Sequence, residues 1–393
     1  MGKKEILKEA FETAPYVRSM RRCFHENPEL AFQEWQTAQR IEEELDSFGL
    51  EHFRVGETGV CAILKGSAPG PVLGLRADMD ALPIEEKTQL PYASKKKGLM
   101  HACGHDVHTA CLLGAAKVLS AHQADLRGEV RFFFQQAEEV AQGGRIFTSS
   151  QAVQGLSSVF GLHSAPDVPA GTLVLKKGVN NASVDHFTIR IQGKASHVCA
   201  PQEGIDALVI ACQIVVALQA IATRRTNPIH PVIIGVGKLT AGDAYNIVAK
   251  EAILEGTTRL ISPQDRILVN ELVDRTAKDI ARIYGGEALA EWENYTDVLS
   301  NEDPGYEQVY DALSSTIGEH TIRTQREVSL SGDDFAAFLS VAPGAYAYLG
   351  TQDETNPQTK SPIHSDTFTV NEEALGLGCA SYVGYVVGTL QID

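Results

Sequence analysis

No Cys-x-x-Cys pair occurs in this chain of 393 residues. The seven cysteines, Cys23, Cys61, Cys103, Cys111, Cys199, Cys212 and Cys379, are odd in number and scattered. That excludes a disulfide-stapled scaffold, and reduced thiols in a cytosol fit best. No signal-peptide core is expected, because the opening Met1-Gly-Lys-Lys-Glu is too charged for one. No long apolar run stands out, so no membrane association is expected. Positive charge is scarce: 34 Lys and Arg face 50 Asp and Glu, a formal charge of −16. Such a surface repels nucleic-acid phosphates and anionic lipid, and no nucleic-acid partner is expected. Gly235-Val-Gly-Lys238 lacks phosphate-loop spacing, and no Gly-x-Gly-x-x-Gly follows a strand pattern.

What remains is an ordinary globular composition, 44% hydrophobic and 21% charged. The length exceeds what one hydrophobic core supports, so two domains are expected. Residues 3–27 and 34–48 read as helices. Short apolar runs over 60–78, then 129–135 and 158–163, read as strands, with a helix over 108–122 between them. This alternation predicts an α/β sheet with ligands gathered at strand ends. From residue 180 the pattern changes. Strands over 185–192, 231–239, 252–260 and 288–295 alternate with helices over 203–223 and 262–284. Ser262-Pro263-Gln264-Asp265 is a helix start with its cap, its proline and its boxing acid. The order β-α-β-β-α-β is that of a ferredoxin-like α+β unit. It is expected as an insertion over 180–295 within a catalytic domain of 1–179 and 296–393, which closes on a helix over 371–388.

The chemistry concentrates in Met100-His-Ala-Cys-Gly-His-Asp-Val-His108, followed by Glu138-Glu139, His163 and His364. Cys103 and His105 flank a glycine, so the backbone can fold tightly and aim both side chains at one point. Glu138, Glu139 and His163 follow strand patterns. Cys103, His105, Glu139, His163 and His364 are five donors, more than one tetrahedral ion needs. They suit two divalent cations sharing the Cys103 thiolate. Glu138 is then the general base. Alternation along an extended segment would turn Glu139 to metal and Glu138 to substrate. Asp80 and Asp106 are expected to orient ligating histidines.

These segments resemble the dinuclear metal amidohydrolases that include aminoacylase-like deacetylases, hippurate hydrolases and auxin-conjugate hydrolases, related to glutamate carboxypeptidase. The matching stretches are Arg22-Cys-Phe-His25, Pro28-Glu-Leu30, Arg76-Ala-Asp-Met-Asp-Ala-Leu-Pro83, Met100 to Asp106, Glu138-Glu139 and Gly161-Leu-His163. Gly193-Lys-Ala-Ser-His197, Gly256-Thr-Thr-Arg259, Ser331-Gly-Asp-Asp-Phe335 and Ile363-His364 continue the series. The resemblance implies a catalytic α/β domain with an inserted lid, and at least a homodimer. It implies that His197 polarises the scissile carbonyl in a partner's site, and that Asn246 and Arg259 grip a substrate carboxylate. Arginine's planar fork and a neutral asparagine donor suit that task. Departures lie at Asp78, at Gln202-Glu203 and in His364-Ser-Asp-Thr-Phe368, and they bear on substrate preference.

The expected reaction is metal-dependent hydrolysis of an N-acyl-L-amino acid in the cytoplasm. Zn, Mn, Ni and Co all suit the mixed donor set. The alternatives are a dipeptidase or carboxypeptidase, and a catalytically silent metal- or ligand-binding homologue. An intact Glu138 speaks against the last of these.

Overall fold

The computed structural model describes residues 2–390. Residue 1 and residues 391–393, the outer ends of the expected catalytic stretches, lie outside the described residues. The chain folds into two compact units. One holds Met1–Gly178, Ser300–Glu327 and Asp334–Asp393; the other holds Val179–Leu299 and Val328–Asp333. The short return excursion over 328–333 has no counterpart in the sequence reading.

The first unit is built on an eight-stranded mixed sheet. Its order is Glu51–Val55, Gly59–Lys65, Arg127–Gln135, Ala68–Asp78, Ser158–Pro169, Gly344–Gln352, Leu173–Val174 and Ile322–Arg323. The four strands from Arg127–Gln135 to Gly344–Gln352 run parallel. Parallel strands covered on both faces carry continuous apolar runs. Phe132, Phe133 and Phe134 fit that rule and are all fully buried. Helices His105–Ala121 and Ala374–Thr389 are apolar almost all round, as core helices are, and pack against each other. Register pairs Asp78 with Gln135 and Arg76 with Gly161. Asp78, Gln135 and His163 therefore stand at one level across neighbouring strands.

The second unit is a four-stranded antiparallel sheet in the order Glu287–Thr296, Ser183–Gln192, Glu251–Leu260, Val232–Ala241. Helices Ala207–Arg224 and Pro263–Ile283 cover one face, where Phe187, Ile189 and Leu254 meet Ile210, Ile214 and Val269. This is the ferredoxin-like arrangement. Ser262 caps the second helix by accepting from the Asp265 amide at 3.2 Å.

Four local expectations change. The first helix is two, Lys3–Glu12 and Ala14–Glu26, because Pro15 removes an amide donor and starts a new first turn. A strand at Glu51–Val55 escapes the pattern because only Val55 is buried. The strand from Ser158 continues to Pro169, so His163 lies inside it and not at its end. The expected lack of a long apolar run also fails: Ala207–Arg224 is long and apolar enough to cross a membrane by length and composition. Its Ile210, Ile214, Leu218 and Ile221 are buried against the sheet.

Candidate metal centre

The helix His105–Ala121 begins at a sharp corner. Gly104 precedes it at φ 91° and ψ 17°, a left-handed conformation suited to glycine. A Cβ there would lie 2.2 Å from Ser164 Oγ. The corner turns both neighbours inward. Ligand atoms of Cys103, His105 and His163 lie within 4.8 Å of one another, with Cys103 Sγ 3.4 Å from His163 Nε2. A second triad, Cys103, Glu139 and His364, shares the thiol, and a third joins His105 to Glu138 and Glu139. The other four expected donors thus gather around Cys103, with Glu138 Oε2 3.9 Å from His105 Nε2.

The rings are aimed by backbone. His105 Nδ1 donates to the Asp80 carbonyl at 2.8 Å, and His163 Nδ1 to the Ser164 carbonyl at 2.7 Å. A carbonyl only accepts, so each ring keeps its Nε2 lone pair for the site. His364 sits at φ 64°, and its amide donates to the Ala102 carbonyl at 2.7 Å. That bond fastens a late loop beside Cys103. His364 Nε2 lies 3.4 Å from Glu139 Oε1.

His105 Nε2 and Glu139 Oε1 are buried with no hydrogen-bond partner among the described residues. Buried polar atoms are nearly always paired, so such a pair of orphans needs an explanation. A divalent cation held by sulfur, nitrogen and oxygen supplies one, and the donor set fits it.

The electrostatics point the same way. Burial, reinforced by Glu139, pushes the Cys103 thiol well above its ordinary range. Burial opposes charge on His105 as well, yet Asp78 and Cys103 outweigh it and raise that ring. Burial and neighbouring His108 hold His163 neutral. Against its own burial, Glu139 is lowered by His364 and His105. A cation would displace protons from Cys103 and His105, so its affinity falls in acid.

Glu138 and Glu139 do not sit on extended chain. Ala137 and Ala141 both have φ of 54°, and the Ala141 amide donates to the Glu138 carbonyl at 2.7 Å. A closed turn, not strand alternation, presents the two carboxylates. Three successive amides of this turn are held by buried carboxylates. Ala137 donates to Glu34 Oε1 at 2.9 Å; Glu138 and Glu139 donate to the two oxygens of Asp80 at 3.0 Å each. The Asp80 carboxylate therefore steadies the turn, and its backbone carbonyl aims His105. Asp106 has another task too: it accepts from Arg21 and pairs with His25, both at 2.8 Å.

His197, Asn246 and Arg259 belong to the second unit. His197 and Asn246 are brought side by side, since the Val198 amide donates to the Asn246 carbonyl at 3.1 Å. Both side chains are exposed. The Cys199 amide donates to His197 Nδ1 at 3.1 Å, which leaves the neutral ring's proton on Nε2. Arg259 is on strand Glu251–Leu260, opposite Val184 and Ile233. Partial burial pulls its pKa down, and no ion pair among the described residues engages it.

Sequence reasoning missed Glu34, and it quoted Arg76, His101 and Asp334 within longer stretches without giving them a role. Arg76 had a usable signal, a charged residue inside the apolar run Val72-Leu-Gly-Leu75. The others depend on contacts between distant segments.

A family model described as peptidase family M20/M25/M40 matches residues 74–387. An N-acetylcysteine deacetylase from Bacillus subtilis is 38% identical over 375 residues, 95% of this chain and 96% of that protein. An N-acyl-L-amino acid amidohydrolase from Geobacillus stearothermophilus is 42% identical over 287 residues, 72% of this chain and 78% of that protein. Among solved structures, the Bacillus subtilis YXEP protein, described as a dinuclear metal binding peptidase from the M20 family, superposes with a TM-score of 0.83. It is 35% identical, covering 97% of this chain and 99% of that one.

Proposed function

The chain belongs to peptidase family M20/M25/M40, a family of hydrolases, and from that footing we propose that it hydrolyses the amide bond of N-acyl-L-amino acids. The observation that carries this reading is the gathering of four donors around the Cys103 thiol with Glu138 beside them. Cys103, His105, Glu139, His163 and His364 would hold two divalent cations. Such a pair polarises a carbonyl and acidifies water when bound.

The chain's own groups do the rest. Glu138 takes a proton from the attacking water and returns it to the leaving amine. The Asp80 clamp on the Glu138 and Glu139 amides fixes the turn from which that carboxylate projects. His197 presents an Nε2–H, so it can donate to a developing oxyanion without first being protonated. Arg259 and Asn246 recognise the free carboxylate of the amino acid. The unengaged guanidinium of Arg259 supports that role, because it offers its fork without first breaking an ion pair. In this reading the working unit is at least a homodimer in the cytoplasm, with His197 serving a neighbouring subunit.

The test is a substrate panel run on metal-free protein reloaded separately with Zn, Mn, Ni and Co. Acetyl-, benzoyl- and indoleacetyl-amino acids should release free amino acid faster than dipeptides do. Turnover of dipeptides alone would favour the peptidase alternative. No turnover with both ions bound would favour the silent one.

A further inference from the structure

We propose that Arg76, which is outside the donor set, is a positioning residue that fixes Glu138 and His163 relative to each other. The proposal rests on the hydrolase reading for the meaning of Glu138, but its geometry is independent of substrate.

Arg76 lies in strand Ala68–Asp78 and is fully buried. Its guanidinium spends its fork in three directions. Nε donates to Gln135 Oε1 at 2.8 Å, Nη1 to Asp78 Oδ2 at 2.6 Å and Nη2 to Asp334 Oδ1 at 2.7 Å. The Asp334 branch leads to the base. The Asp334 amide donates to Glu138 Oε1 at 3.4 Å. Its carboxylate also accepts from Gln135 Nε2 and from the Gly144 amide, both at 2.8 Å. Gln135 and Gly144 stand on either side of the turn that carries Glu138.

The Asp78 branch leads to a donor. His108 Nδ1 lies 2.5 Å from Asp78 Oδ1, and His108 Nε2 accepts from the Ser164 amide at 2.7 Å. An amide only donates, so the His108 proton is on Nδ1 and points at Asp78. The Ser164 carbonyl in turn receives His163 Nδ1, and the Ser164 hydroxyl donates to the Cys103 carbonyl at 3.0 Å. An unbroken run of hydrogen bonds thus joins Glu138 to His163, with Arg76 at its centre. A planar fork can hold two carboxylates and an amide oxygen at fixed angles; a lysine ammonium cannot.

The test uses Arg76→Lys in the full chain, stripped of metal and titrated with Co2+. Loss of partners behind metal ligands typically costs about 10–100-fold in affinity or activity. We expect kcat to fall by about 10–100-fold with KM within about twofold. One Co2+ equivalent should bind more weakly by a similar factor, with a shifted visible absorption band. Asp334→Asn keeps Arg76 in place and should lower kcat in the same direction, so it carries the test if the lysine variant does not fold. Either variant overturns the proposal if it merely melts earlier, with kcat per loaded site and the cobalt band as in the parent. If the parent itself turns over no N-acyl amino acid, the hydrolase reading fails, and the cobalt arm still decides the role of Arg76.

Discussion

Replacing Gly104 by alanine should damage the fold and the site together. At φ 91° an L-residue costs about 1–2 kcal/mol. The added Cβ would stand 2.2 Å from Ser164 Oγ and 3.0 Å from Ser164 Cβ. Ser164 is only 2% exposed, and its hydroxyl holds the Cys103 carbonyl. It cannot turn away without losing that buried hydrogen bond, about 1 kcal/mol more. Against this, alanine restricts the unfolded chain and returns about 0.4–1 kcal/mol. The balance is a loss of about 1–3 kcal/mol, measurable by urea unfolding of the metal-free protein. Because the displaced carbonyl belongs to Cys103, metal affinity should fall by at least about tenfold. Adding Ser164→Ala to Gly104→Ala should be less than additive, since both remove the same contact. A Gly104→Ala protein with parental stability and parental metal affinity would show that the corner needs neither glycine nor the Ser164 contact.

Three further outcomes follow from buried charge and unengaged charge. His101 is 1% exposed, neither ring nitrogen has a hydrogen-bond partner among the described residues, and burial lowers its pKa to about 4. The fold refuses a proton that the unfolded chain accepts below about pH 6.5, so stability falls as pH drops from there toward 4, by about 3 kcal/mol in total. His101→Asn should flatten that part of the urea-derived stability profile of the metal-free protein; an equal slope in parent and variant would contradict it. His25, raised by Asp106 against its own burial, acts oppositely: its contribution is complete below about pH 6.5 and is lost as pH rises through its higher folded value. Arg259→Ala should raise KM for N-acetyl amino acids by about 10–100-fold, the loss of one charge-assisted contact. It should leave an N-acyl amine without a carboxylate unaffected, and an unchanged KM would remove Arg259 from carboxylate binding.

The sequence was most legible where local rules decide. The helix start at Ser262-Pro263 and the Cys103-Gly104-His105 corner are both written in neighbouring residues. The long apolar strands were legible for the same reason, because burial on both faces leaves no other composition. What escaped depends on distant segments meeting. Glu34 looked like the first residue of a helix. It proves to be a buried acceptor for Ala137 and Thr58, and nothing in its neighbours says so. Asp80 and Asp106 were expected to aim histidines directly. His105 Nδ1 meets the Asp80 backbone carbonyl at 2.8 Å and the Asp80 carboxylate at 3.4 Å, so Asp80 does face a ligating ring, while its carboxylate also holds the turn at Glu138 and Glu139. That turn was read as extended chain because alternation is the default for two residues after a strand. Positive φ at Ala137 and Ala141 cannot be read from alanines.

In the proposed site five side chains hold two cations while Glu138 only moves a proton. Metal content and turnover should therefore be measured together on Glu138→Gln and on the parent. Both proteins should hold two tightly bound equivalents, with kcat of the variant lower by about 10²–10⁴-fold. A Glu138→Gln protein that loses an equivalent of metal, or that keeps parental turnover with both bound, would contradict that division of roles.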